Sequence, residues 1–464
     1  MTAALGVAPT RIPVPAGSGR SPVVRLTWML ARPGAQSPAT IVLPAVAFAV
    51  TTALVLTVLG GALMFWRWTG ETAFIYQVLS VLALALLLVP LGSLGGAAAR
   101  LSARRRDDRL ATLRLLGATP GTVTVMTVLE SAGVALLGAF AGILLYLGML
   151  PLVGLIPFGG SQIGVEGVWV GVPIIAAVVL GVVLLAAASA AIGLRAVNVS
   201  PLGVRTKQQA PTVHWLRIVV GAVVVIVAYG MLSVVTGLQE VAVMIVVLGV
   251  GFAAGVGVLG LIGPWVVGVI GRGSAKRAKT PERLLAARTI LESPKAAWRQ
   301  VSGVAMTSFV AVVAGTGVAL MDAAGGSDLD RESAILIDDI RTGVVITLVA
   351  SFLMVACSVG VNQASAVLDR RDLYVSLDRL GVPRDVMERA RGRAVMLPLR
   401  VVALGSAGLG VLLVLPMAGI SVILAPLSVL VIVGCFAGGI GLVWAALRAT
   451  RPVVSGVLRA PERV

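Results

Sequence analysis

Few residues in this sequence could do chemistry, and they are scattered. The two cysteines, Cys357 and Cys435, lie in apolar runs without the paired spacing that a disulfide framework or a metal site requires, so they read as helix-packing residues. The one histidine, His214, stands beside Trp215 at the edge of an apolar run, a setting that suits an interfacial residue better than a proton relay. No Gly-x-x-x-x-Gly-Lys-Ser/Thr loop is present to cradle the phosphates of ATP. No catalytic residue, metal site or resident cofactor is therefore expected. Glu130 and Arg400 each fall inside an apolar run, where an ionised group is costly unless paired or near the headgroups. They are candidate partners for one another, with a structural hydrogen-bonding role for Glu130 as the simpler alternative.

The most informative pattern is a pair of charged segments. One runs from Arg104, Arg105 and Arg106 through Asp108 to Leu113, Leu116 and Gly117; the other runs from Arg370, Arg371 and Asp372 to Leu377, Leu380 and Gly381. At an offset of 264, Arg106 matches Arg370, Asp108 matches Asp372, and Leu116-Gly117 matches Leu380-Gly381. Each segment predicts a short helix with leucines on one side and a glycine stop before a proline (Pro120, Pro383). Met29 to Pro33 similarly echoes Ile290 to Pro294 at an offset of 261, each after an amphipathic stretch suited to the membrane interface. Nearly equal offsets argue for a duplicated chain. Two equivalent short helices would offer a pair of docking surfaces to a symmetric partner; basic turns made only by membrane insertion are the alternative.

The elements that must position these segments are membrane helices. Of 464 residues, 58% are apolar and 12% charged, and the mean hydropathy is +1.02, which no soluble core accommodates. Ten apolar runs are long enough to span a bilayer, near 40–66, 74–98, 123–147, 168–194, 218–235, 241–270, 301–321, 342–367, 394–415 and 421–447. A large water-soluble catalytic domain does not fit in what remains. All but Arg67, Arg331 and Arg341 of the 37 basic residues fall toward one side, which makes that side, and both termini, cytoplasmic. The formal charge of +17 is then a collar facing membrane lipids rather than a nucleic-acid footprint. The expected plan is all-α and polytopic. It comprises an N-terminus with an interfacial helix (1–38), a four-span unit (39–205), a two-span linker (206–271), an interfacial helix with a second four-span unit (272–450), and a cytoplasmic tail (451–464). Outside, Asp328, Asp330, Glu332, Asp338 and Asp339 make the connection 322–341 acidic, a vestibule for cationic amphiphiles or the simple complement of the inner positive bias.

The run Arg104 to Pro120, followed by an apolar stretch with Glu130, Gly138 and Gly142, resembles the signature of FtsX-like permeases, the membrane subunits of MacB-type ABC transporters. Ser200 to Arg205 resembles the Ser-Pro-Leu-x-x-x-Arg end of that family's four-span unit. The second unit departs from the pattern: Ala394 stands where Glu130 does, and Pro452 to Arg459 is a loose counterpart. The resemblance implies that ATP and Mg are bound by two copies of a separate ABC ATPase on the cytoplasmic face, with Arg104 to Ala118 and Arg370 to Gly381 as coupling helices. It also implies a multi-pass protein of a bacterial plasma membrane that exports or extracts an amphiphile such as an antimicrobial peptide, lipid or hydrophobic antibiotic. The large extracellular insertion of many members has no room in 67–73 or 322–341. The alternative is a non-transporting module that passes ATPase motion to an envelope partner.

Overall fold

The computed structural model describes residues 39–70, 72–104, 120–198, 216–234, 241–324, 331–418 and 426–450. Each of the ten apolar runs coincides with a helix: α1 (Ala39–Phe65), α2 (Ala73–Arg104), α3 (Pro120–Gly154), α5 (Val172–Asn198), α6 (Leu216–Val234), α7 (Val241–Lys276), α9 (Pro294–Ala324), α10 (Arg331–Asp369), α12 (Arg384–Ala418) and α13 (Pro426–Ala449). Helix is the only open-chain way to pair every backbone N–H and C=O in hydrocarbon. Among the described residues seven of these helices are long and apolar enough to cross a membrane, while the apolar stretches Ala73–Leu87, Val219–Met231 and Phe436–Ala449 are shorter. The chain is a multi-pass membrane protein. Between the long helices lie a hairpin of β1 (Pro157–Phe158) and β2 (Ser161–Gln162), and the short helices α4 (Gly164–Val168), α8 (Pro281–Glu292) and α11 (Arg371–Arg379).

Several boundaries differ from the sequence expectation for one reason: apolar runs mark where a helix is greasy, not where it ends. The third span was expected to stop near residue 147, yet α3 continues to Gly154. The fourth was expected from 168, yet α4 ends there and α5 starts at Val172. Most of the acidic connection 322–341 is helical, because α10 begins at Arg331, with Glu332 in its first turn favoured by the helix dipole. At 39 residues α10 is about 58 Å long, well beyond a hydrocarbon core of about 30 Å.

The helices pack as two sets with the same neighbour order. In the first set α1 packs most extensively on α3 and also on α2, and α2 packs on α5; in the second α9 packs most extensively on α12 and also on α10, and α10 packs on α13. The sets meet along α2 and α10, where Leu87 and Leu94 bury against Met354. The pair α6 and α7 packs on the second set, against α9 and α12.

Glycine explains one close crossing. A Cβ on Gly138 would sit 2.6 Å from the Ala45 carbonyl oxygen and the Phe48 Cβ, and one on Gly142 would sit 2.6 Å from the Ala49 carbonyl oxygen. This small-x-x-x-small pair lets α3 lie directly on α1. The same spacing at Gly434 and Gly438 meets nothing within 4 Å, and a Cβ on Gly255 would meet the Phe309 ring.

Candidate functional site

The basic end of the bundle gathers the described part of the repeated charged pattern. After Asp369 the chain turns into α11, which ends in a glycine cap. Gly381, at φ +77°, donates its N–H to the Asp378 carbonyl, and Val382 donates to the Leu377 carbonyl at 3.0 Å, the paired bonds of a Schellman motif. Leu377 and Val382 pack with Tyr374 onto Val367 and Met387, the apolar contact that accompanies such a cap. Pro383 then stops the helix and α12 begins at Arg384. Burial raises the pKa of the Tyr374 hydroxyl, against the nearby Arg391 and Arg370 charges. Leu373 and Leu380, two turns apart on one side, remain 52% and 79% exposed. An apolar pair held outward on a well-capped helix is a contact surface without a partner in this chain's described residues.

Two ion pairs strap α8 against this region. Glu292 at its end lies 2.8 Å from Arg370, and Glu282 at its start lies 2.9 Å from Arg393 of α12. The Glu282 carboxyl is held below the usual carboxylate range by its own backbone N–H and by the Arg393 guanidinium. Ala286, Ala287 and Ile290 form the buried face of α8. The pattern Arg283 to Leu291 is thus a helix packed on α7 and α12. Glu292 was not singled out from sequence; the signal was there, since it precedes Ser293-Pro294 in one repeated landmark and meets Arg370 of the other.

The remaining sequence candidates separate. Arg104 is the last residue of α2, whereas Arg105, Arg106, Asp108, Leu113, Leu116 and Gly117 lie outside the described residues, as do Asp328 and Asp330. Arg371 and Asp372 open α11. Glu130 and Arg400 do not pair: Glu130 is half-buried on α3, which packs on α1 and α5, while Arg400 is exposed on α12 and makes no ion pair among the described residues. The acidic group also divides. Asp338 faces Arg341 at 3.7 Å and stays exposed, but Asp339 is buried, accepting from the Tyr76 hydroxyl at 2.6 Å and the Gly159 N–H at 2.8 Å. Asp339 therefore ties the second set to the first at the end opposite α11. Around it Phe65, Trp68, Tyr76 and Phe158 form a ring cluster with centroids 4.9 to 5.5 Å apart.

Residues 81–201 match the family model for the FtsX-like permease C-terminal domain. The chain carries an FtsX-like permease domain. The match starts within α2, includes the charged segment and Glu130, takes in the Gly138/Gly142 crossing, and ends just past α5. No curated protein matches the chain. FtsX-like permeases are membrane components of transport systems, not themselves catalysts, and they generally partner with ABC ATPase subunits. At the offset of 264 the exposed Leu380, the C-cap of α11, corresponds to Leu116 of the matched segment, whereas the exposed Leu373 corresponds to Arg109.

Proposed function

We propose that this chain is the permease subunit of an ABC transporter in a bacterial plasma membrane, with both termini and the basic end in the cytoplasm. Two copies of an ABC ATPase bind there, one on α11 and one on the segment 104–118. The ten long helices act as two four-helix units and a two-helix linker, hinged where α2 meets α10. ATP binding draws the docking segments together, and the motion closes the units on an amphiphilic substrate that is expelled or extracted toward the outer leaflet.

The observation that carries this reading is α11 itself. A capped short helix at the basic end, with two leucines held into solvent, has the form of a docking peg, and its Leu377, Leu380 and Gly381 recur as Leu113, Leu116 and Gly117 inside the matched FtsX-like segment. The short outer connections in the sequence and the buried Asp339 tie favour this over a module that grips an envelope partner.

The test is co-purification of the chain with any ABC ATPase encoded in its gene neighbourhood, followed by ATPase and substrate-release assays in proteoliposomes. Charge reversal at Arg370 would also break the pair with Glu292, so the cleaner variant is Leu373→Glu with Leu380→Glu, both exposed. A tenfold or greater loss of permease-stimulated ATPase activity, with unchanged elution of the permease alone, is expected. Unaltered stimulation would reject α11 as the docking element.

A further inference from the structure

The two helix sets differ at one corner. α3 and α5 pack along each other in the first set, whereas their counterparts α12 and α13 barely touch. Between the basic ends of α12 and α13, and bounded by α8 and the end of α7, lies a cavity of about 1000 Å³. Seven arginines line it against two carboxylates, Asp385 and Glu388. Arg389 is paired with Asp385 at 2.8 Å, Arg393 is paired with Glu282, and Arg448 lies 3.6 Å over the Trp444 ring. Arg277, Arg283 and Arg400 make no ion pair among the described residues.

Arg400 is the telling residue. It stands about 24 Å along α12 from its first residue, within the apolar run, where a guanidinium is costly unless it meets an anion or water. The wall beside it is apolar, formed by Met396, Leu397, Leu447 and the Trp444 ring. A small inorganic anion would use only the cations. A molecule with a phosphate at one end and hydrocarbon at the other would use the whole lining, because guanidinium forks match phosphate oxygens and the apolar wall takes the chains.

We propose that this cavity is a binding site for an anionic phospholipid from the leaflet at the basic end of the bundle. The phosphate sits among Arg277, Arg283 and Arg400, and the acyl chains lie along Met396, Leu397 and Trp444. The site requires no ATPase, so it stands or falls separately from the transport reading.

Native mass spectrometry of the delipidated full chain tests it. Phosphatidylglycerol and phosphatidylcholine are titrated in parallel, with inorganic phosphate as a competitor. Phosphatidylglycerol is expected to bind about tenfold more tightly than phosphatidylcholine, a difference of about 1.4 kcal/mol, and to resist inorganic phosphate. The triple variant Arg277→Gln, Arg283→Gln, Arg400→Gln should lose that preference, while Arg331→Gln at the opposite end should keep it. Should the triple variant elute abnormally, the pair Arg400→Gln and Arg400→Lys replaces it, with the preference lost in the first and retained in the second. Equal binding of the two lipids to the unaltered chain, a preference unchanged in the neutral variants, or displacement of the lipid by inorganic phosphate would overturn the proposal.

Discussion

Asp339 belongs to an acidic run on paper and to the core in space. Its carboxylate accepts two hydrogen bonds from the other helix set, one from Tyr76 and one from the Gly159 backbone. Replacing it with alanine leaves the buried Tyr76 hydroxyl without an acceptor, while the exposed Gly159 N–H can turn to water, so Asp339→Ala should destabilise the protein by about 1 to 3 kcal/mol. Tyr76→Phe should cost about 1 kcal/mol. The double variant should cost less than the sum, because the two side chains share one interaction. Thermal unfolding in detergent reads all three. At the other end Gly381→Ala forces an L side chain into the left-handed region, at a cost of about 1 to 2 kcal/mol. The Leu-Gly-Val-Pro stop was legible in the sequence because its cap is made of adjacent residues. The Asp339 tie was not, since its partners are 263 and 180 positions away.

At the scale of elements, glycines with the same spacing are not equivalent. Gly142→Ala places a methyl group against the α1 backbone and should destabilise by about 1 to 3 kcal/mol despite the better helix propensity of alanine. Gly434→Ala, which meets open space, should be neutral or slightly stabilising by the same unfolding assay. Period alone could not separate them, because a one-dimensional spacing says which residues share a face and not which face meets a neighbour. The α8 strap makes a pH prediction. The Glu282 pKa is lowered in the folded protein from an ordinary 4.5, so its contribution is full above that value and is lost as pH falls through the lowered one. A spin label at the exposed Arg288 should therefore gain mobility as pH falls below the ordinary value, and Glu282→Gln should show the mobile spectrum already at neutral pH.

For the whole molecule, the seam between α2 and α10 decides what the two sets can do relative to each other. In a background lacking Cys357 and Cys435, the double variant Leu94→Cys with Met354→Cys should be joined by a short bis-thiol reagent, because both side chains are buried in one cluster. If the sets move about this seam, the cross-link should abolish ATPase stimulation by the permease while leaving ATPase binding intact. Stimulation that survives full cross-linking would place the moving parts elsewhere.

Composition and period by themselves determined that the chain is a bundle of membrane helices, where the apolar part of each helix lies, and that charge collects at one end. Those properties follow from local rules: hydrocarbon demands internally paired backbone, and a glycine followed by proline ends a helix. Tertiary structure alone decided which glycines are crossings, that Asp339 is a buried tie, that Arg400 faces an arginine-lined cavity and not Glu130, and that α2 and α10 form the seam. Each of these depends on which helix faces lie together, a matter of packing across hundreds of residues that no local pattern records.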